Sequence, residues 1–265
     1  DIVAKLATLN LEADKDADVD GNIAEINAIV GGNLDITDED DIVLGEIFAN
    51  GAIVAENATG DITVEDVKSD KSVAITATEG SIVDGNADNE NANITAPEVV
   101  LMAGTSIGIE DDSLDTATRK LTAEAVEGSI NIDNASDRKT EVAGLKAKED
   151  IAFTQHGNGD AVITGDVVAE NGDVELDSTD GANIRQLSNS GVIEATNGNV
   201  TIITDNGGDV VVDEVIAKDI VSIDADGAVL RSDTLDEDGN KDLSDIAAAR
   251  VFIKATDGIG EISFD

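Results

Sequence analysis

The sequence predicts an all-β fold, a parallel β-solenoid of about 13 coils. Three observations predict it. Apolar and polar residues alternate in short runs, a glycine opens each run, and the runs recur at roughly 10-residue intervals. Period-two alternation marks a strand with one buried face, and Val and Ile fit the pleat.

The recurring unit is Gly, then a small or polar residue, then alternating apolar positions. Gly60-Asp61-Ile62-Thr63-Val64, Gly128-Ser129-Ile130-Asn131-Ile132 and Gly172-Asp173-Val174-Glu175-Leu176 are copies. Gly198-Asn199-Val200-Thr201-Ile202 and Gly208-Asp209-Val210-Val211-Val212 are two more. The glycine supplies the turn and the run supplies a strand of about 4–6 residues. A longer period lies above this one. Gly60 to Ile82 aligns with Gly208 to Leu230, and Val99 to Ala103 with Val251 to Ala255. The polar stretch Ser232 to Asp242 absorbs the few residues by which the two offsets differ. The chain is therefore expected to form one continuous solenoid segment over residues 1–265, an excerpt of a longer repetitive protein. A sandwich or barrel is closed and would not produce an indefinitely extendable register. A propeller needs about four strands per blade, usually with aromatic marks that are missing here.

Composition excludes several functions. The 265 residues carry 58 Asp+Glu against 16 Lys+Arg, a net charge of −42. A chain this acidic repels phosphates, so nucleic acid is not an expected partner. With no Cys there is no disulfide or thiolate chemistry. Apolar runs are too short to span a bilayer, so membrane insertion is not expected. Disorder would suit the charge but not the 41 % of hydrophobic residues at regular spacing. Alternation sends the acids outward and into turns, as at Asp35, Glu65, Asp133, Glu175 and Asp213. Stacked like charges oppose the fold, and a divalent cation would offset them.

Gly80-Ser81-Ile82-Val83-Asp84-Gly85-Asn86, Asn93-Ile94-Thr95-Ala96, Val99-Val100-Leu101-Met102-Ala103 and Ile107-Gly108 resemble the repeat regions of filamentous-haemagglutinin-like bacterial surface proteins. Leu121-Thr122-Ala123 and Val167-Val168-Ala169-Glu170-Asn171-Gly172-Asp173-Val174 share the likeness. The resemblance implies a right-handed parallel β-helix, secretion to the bacterial cell surface, and an adhesin-like stalk that presents a tip. The secretion domain of that family, with its Asn-Pro motifs, is not matched, since the one proline is Pro97 after Ala96.

The candidate cofactor is Ca²⁺. Asp16-Ala17-Asp18-Val19-Asp20-Gly21 is a D-x-D-x-D-G string: the alternate carboxylates Asp16, Asp18 and Asp20 converge on a tight loop, and Gly21 allows the sharp turn a Ca²⁺ loop needs. The twelfth position is Asn27, not the bidentate Glu of an EF-hand. The alternative is a solvated acidic turn. A second string offers Asp236 and Asp238 before Gly239. His156, between polar residues and glycines, reads as a surface loop residue. No Gly-x-Ser-x-Gly elbow occurs.

The expected function is a structural stalk or spacer of a secreted or cell-surface fibrous protein, with neighbouring repeats of the same longer chain as partners. An alternative is a β-helix module that binds cell-surface glycans or proteins, for which Ser232 to Asp242 is the one non-repeating loop. A polysaccharide-degrading β-helix is a further alternative, but four Phe and no Trp or Tyr leave little to stack on a sugar, and no enzyme activity is expected.

Overall fold

The computed structural model describes residues 7–86, 91–187, 190–232, 245–260 and 262. They form parallel sheets stacked as a β-solenoid of about ten turns, without a helix. The chain groups into two compact units, Asp1–Ala135 and Ser136–Asp265.

The first unit holds β1 (Leu9–Ala13), β2 (Ala17–Asp20), β3 (Glu25–Val30), β4 (Leu34–Asp38), β5 (Ile42–Ala49), β6 (Ile53–Asn57) and β7 (Ile62–Ser69). It continues with β8 (Ser72–Ala77), β9 (Ile82–Asp84), β10 (Ile94–Ala96), β11 (Glu98–Ala103), β12 (Leu114–Thr118), β13 (Lys120–Ala125) and β14 (Ile130–Ala135). Two parallel sheets result, ordered β1-β3-β5-β7-β10-β12-β14 and β2-β4-β6-β8-β11-β13. Successive strands alternate between the sheets, except that β9 and β10 both pair with β7, so each turn of chain lays one rung on each.

The second unit holds β15 (Thr140–Ala147), β16 (Ile151–His156), β17 (Ala161–Ile163), β18 (Val167–Ala169), β19 (Val174–Ser178), β20 (Ile184–Gln186), β21 (Ile193–Ala195) and β22 (Val200–Thr204). Then come β23 (Val210–Val212), β24 (Val215–Ala217), β25 (Ile220–Ala225), β26 (Ala228–Arg231), β27 (Ile246–Ala247), β28 (Arg250–Ala255) and β29 (Gly258–Ile259). One sheet runs β16-β19-β22-β25-β28. The other begins at β15 and divides: β17, β20, β23 and β26 stack on its first half, and β18, β21, β24 and β27 on its second. Stacked glycines open the new corner. A Cβ on Gly165 would lie 2.0 Å from the Ala143 oxygen, and one on Gly191 2.4 Å from the Gly165 carbonyl carbon.

The turn count corrects the expectation of about 13. Rungs are not uniformly 20 residues long. Leu9 stacks against Ile26, Ile62 against Ile82, Val67 against Ile94, Val174 against Val200 and Ile220 against Arg250. The first of these steps is 17 residues and the last is 30, so fewer turns use the same chain. Strand length also departs from expectation. β5, β7 and β15 each have 8 residues, because two runs are joined across a bulge or an unbroken corner.

The core consists of aliphatic columns. In the first unit Leu34, Ile53, Val73, Val99 and Leu121 stack in direct register. In the second, Phe153, Leu176, Ile202 and Ile223 do so. All nine are essentially inaccessible. Each residue covers the one beneath it, which buries apolar surface without needing bulk.

The Gly-Asp/Asn/Ser opening of each run has a specific cause. The glycine lies on the backbone of the preceding rung: a Cβ on Gly80 would approach the Gly60 oxygen to 2.1 Å, and one on Gly198 the Gly172 oxygen to 2.2 Å. The next residue then caps the following rung. Asp41 Oδ1 accepts from the Asp61 amide at 3.0 Å, and Asp61 Oδ1 from the Ser81 amide at 2.7 Å. In the second unit Asp150 accepts from the Asp173 amide at 2.7 Å, and Asp173 from the Asn199 amide at 2.7 Å. A parallel ladder runs Asp160–Asn183–Asp209 and ends on the Ala228 amide. Part of the acidity is thus corner architecture, with a carboxylate satisfying a backbone donor that would otherwise lack a partner.

Candidate functional site

The acidic string lies in a strand. Ala17–Asp20 is β2, with Val19 buried and Asp18 and Asp20 exposed on the outer face. Carboxylates two apart on a strand stand about 6.6 Å from each other and project in parallel, so they do not converge as in a loop. Asp16 precedes the strand, and its Oδ1 accepts from the Asn33 amide at 2.8 Å. It serves as a corner cap. Asp236 and Asp238 lie outside the described residues. Among the described residues no group of three or more His, Cys, Asp or Glu side chains is placed to hold a metal ion.

His156 is half-buried at the end of β16, and its Nδ1 lies 3.0 Å from Thr179 Oγ1. The Thr179 hydroxyl is also 3.2 Å from Asp180 Oδ2. Asp180 has φ of 63°, a left-handed turn position, and accepts from the Gly157 amide at 3.1 Å. The carboxylate holds the turn rather than the imidazole, so this cluster ties one corner to the next.

The most distinctive surface belongs to the outer face of β1, β3, β5 and β7. Against β3, strand β5 shifts register: Ile26 faces Leu44 and Ala28 faces Ile47, so Gly45 and Glu46 together oppose Asn27. This is a β-bulge. The Glu46 amide donates to Asn27 Oδ1 at 2.8 Å, and a Cβ at position 45 would come within 2.4 Å of that oxygen. A side chain at position 45 would displace the Asn27 amide from this hydrogen bond. β7 preserves it, with Glu46 stacked on Asp66. On the next rung Asp84 pairs with Val64 and Ile94 with Val67, and Asn93 donates to the Val64 oxygen at 2.8 Å.

Beside the bulge lies a groove of ≈ 770 Å³. One wall is the outward column Glu12–Ile29–Phe48–Lys68. Ile29 is 60 % exposed and Phe48 40 %. The other wall carries Asn27, Glu46 and Asp66. Lys68 Nζ bonds Asp66 Oδ2 at 2.7 Å, so its charge is locally matched. With three lining carboxylates against one ammonium, the groove is anionic around an apolar ridge. Its lining residues include no nucleophile–base pair.

This ridge was not expected from the sequence, which pointed to the Ser232 to Asp242 stretch as the non-repeating surface. The available signal was broken alternation. Ala28-Ile29-Val30 and Ile47-Phe48-Ala49 are each three consecutive apolar residues, and in a strand the middle one must face outward. Val100 and Met102, at 37 % and 44 % exposure, arise in the same way from Val99 to Ala103.

Charge is stacked as well as alternated. Asp18 lies on Asp35, Glu46 on Asp66, and Asp115 on Asp133. Cations are placed against some acids: Lys120 Nζ is 2.9 Å from Glu98, Lys148 Nζ 2.7 Å from Glu170, and Lys254 Nζ 2.8 Å from Asp224. Arg231 and the buried Asp245 bracket the undescribed stretch with a 2.9 Å contact.

No family model, characterised protein or solved structure matches the chain.

Proposed function

We propose that the chain is a stalk or spacer segment of a secreted or cell-surface fibrous protein, akin to the filamentous-haemagglutinin-like repeats it resembles in sequence. The observation that carries this reading is the equivalence of successive rungs. Leu34, Ile53, Val73, Val99 and Leu121 occupy one register position over five rungs. An arrangement of this kind extends by adding rungs, so neighbouring repeats of the same chain are its natural partners. Its work is mechanical: backbone ladders and aliphatic columns resist extension and proteolysis. Divalent cations such as Ca²⁺ act as counter-ions to the stacked carboxylates and add stability by linkage.

Single-molecule pulling on the full chain tests this reading. A rung of 17 to 30 residues releases about 60–100 Å of contour when it peels off. Stepwise extension in increments of that size supports a load-bearing stalk. Unfolding without resolvable resistance would overturn it.

A further inference from the structure

We propose that the groove over Ile29 and Phe48 is a docking site for a cationic, amphipathic stretch of another polypeptide, in which apolar residues alternate with Lys or Arg. A spacer has no need of this feature, since a rod is served by a polar outer face, as at Asp18 and Asp35 on β2 and β4. Here two large apolar side chains stand outward on adjacent rungs, in direct register, and are 60 % and 40 % exposed. A bulge at Gly45 and Glu46 sets a second wall beside them, which carries Glu46 and Asp66. Glu12 extends the ridge at one end and Lys68, engaged with Asp66, closes it at the other.

Charge complementarity selects the occupant. The lining carries Glu12, Glu46 and Asp66 against Lys68 alone, within a chain of net charge −42. A second copy of this chain, or any acidic partner, is repelled. A purely hydrophilic cation would leave the Ile29–Phe48 ridge wet, and a purely apolar segment would leave the carboxylates unanswered. An extended segment alternating apolar and basic residues meets both.

The test is fluorescence anisotropy of the full chain with two labelled 12-residue peptides of equal charge, one alternating Lys and Leu, the other Lys and Ser. The Lys/Leu peptide is expected to bind at least about 10-fold more tightly, because it covers the two exposed side chains. The double substitution Ile29→Ser with Phe48→Ser should shrink that preference to less than about 2-fold, and Glu12→Gln with Glu46→Gln should weaken both peptides. Equal affinity for the two peptides would overturn the proposal, reducing the groove to bulk charge attraction. So would a preference that survives loss of both apolar side chains. Should the double variant fail to fold, Ile29→Thr alone retains an outward β-branched residue. It is expected to lower the preference at least about 2-fold, and an unchanged preference would overturn the proposal.

Discussion

Replacing Gly198 with alanine probes the contact on which rung spacing depends. The added Cβ would lie 2.2 Å from the Gly172 oxygen and 2.7 Å from its carbonyl carbon, both backbone atoms that no rotamer change can move aside. Ordinary contact requires the two rungs to part locally by about 1 Å. Around that point the Val174 amide donates to the Asn199 oxygen at 2.9 Å, and the Asn199 amide and Nδ2 donate to Asp173 Oδ1 at 2.7 and 3.0 Å. Stretched by about 1 Å these no longer qualify as hydrogen bonds. At about 1 kcal/mol each, Gly198→Ala should cost about 3 kcal/mol. Gly207→Ala is the control: φ there is +91°, and nothing lies within 4 Å of the built Cβ. Its cost is backbone strain alone, about 1–2 kcal/mol. Urea denaturation followed by far-ultraviolet circular dichroism measures both. Gly198→Ala within about 0.5 kcal/mol of the parent chain, or less damaging than Gly207→Ala, would refute the spacing argument.

Asp173→Ala should cost about 1–2 kcal/mol by orphaning the Asn199 amide, whereas Asp173→Asn, which keeps an acceptor oxygen, should cost less than half of that by the same denaturation assay. Phe153, fully buried at the head of its column, should lose about 3–5 kcal/mol on conversion to alanine. Raising NaCl from low to physiological concentration should raise the Tm measured by calorimetry, because each exposed like-charge stack such as Asp18 on Asp35 costs at most about 1 kcal/mol unscreened. Millimolar Ca²⁺ should raise Tm beyond an equal ionic strength of NaCl, and chelator should reverse the gain; equal responses to the two salts would leave only screening.

Much of the architecture is legible in the sequence because one residue type does one job at each position. Ile62 and Val64 face inward while Thr63 faces outward, and Gly60 and Asp61 make the corner. The inner columns, the strand class and the outward acids follow from that period. The number of turns does not. Asp84 and Ile94 both pair with β7, and Ile220 with Arg250, so residues are added between them without a matching gain in rungs, and such additions carry no period. The division of the sheet above β15 was equally hidden, since it depends on glycines stacking across rungs rather than along the chain. The acidic string reads as a loop or as a strand: D-x-D-x-D is also a strand with its acids on one face, and the interleaved Ala17 and Val19 supply the inner face. The groove escaped because an apolar residue at the wrong parity looks like extra core until the register shows Ile29 and Phe48 on the outside.

The central claim, parallel rungs in register, is most directly tested by paired cysteines in this cysteine-free chain. Thr63 faces Val83 across neighbouring rungs of one sheet, and Thr201 faces Ser222 in the second unit. Thr63→Cys with Val83→Cys, and Thr201→Cys with Ser222→Cys, place sulfurs within disulfide reach, with Cα atoms about 5 Å apart. Mild oxidation should close both bridges within single chains, while Lys68→Cys with Ala74→Cys, which a β7–β8 hairpin would juxtapose, should stay reduced. Closure of the hairpin pair, with the in-register pairs left open, would contradict the account.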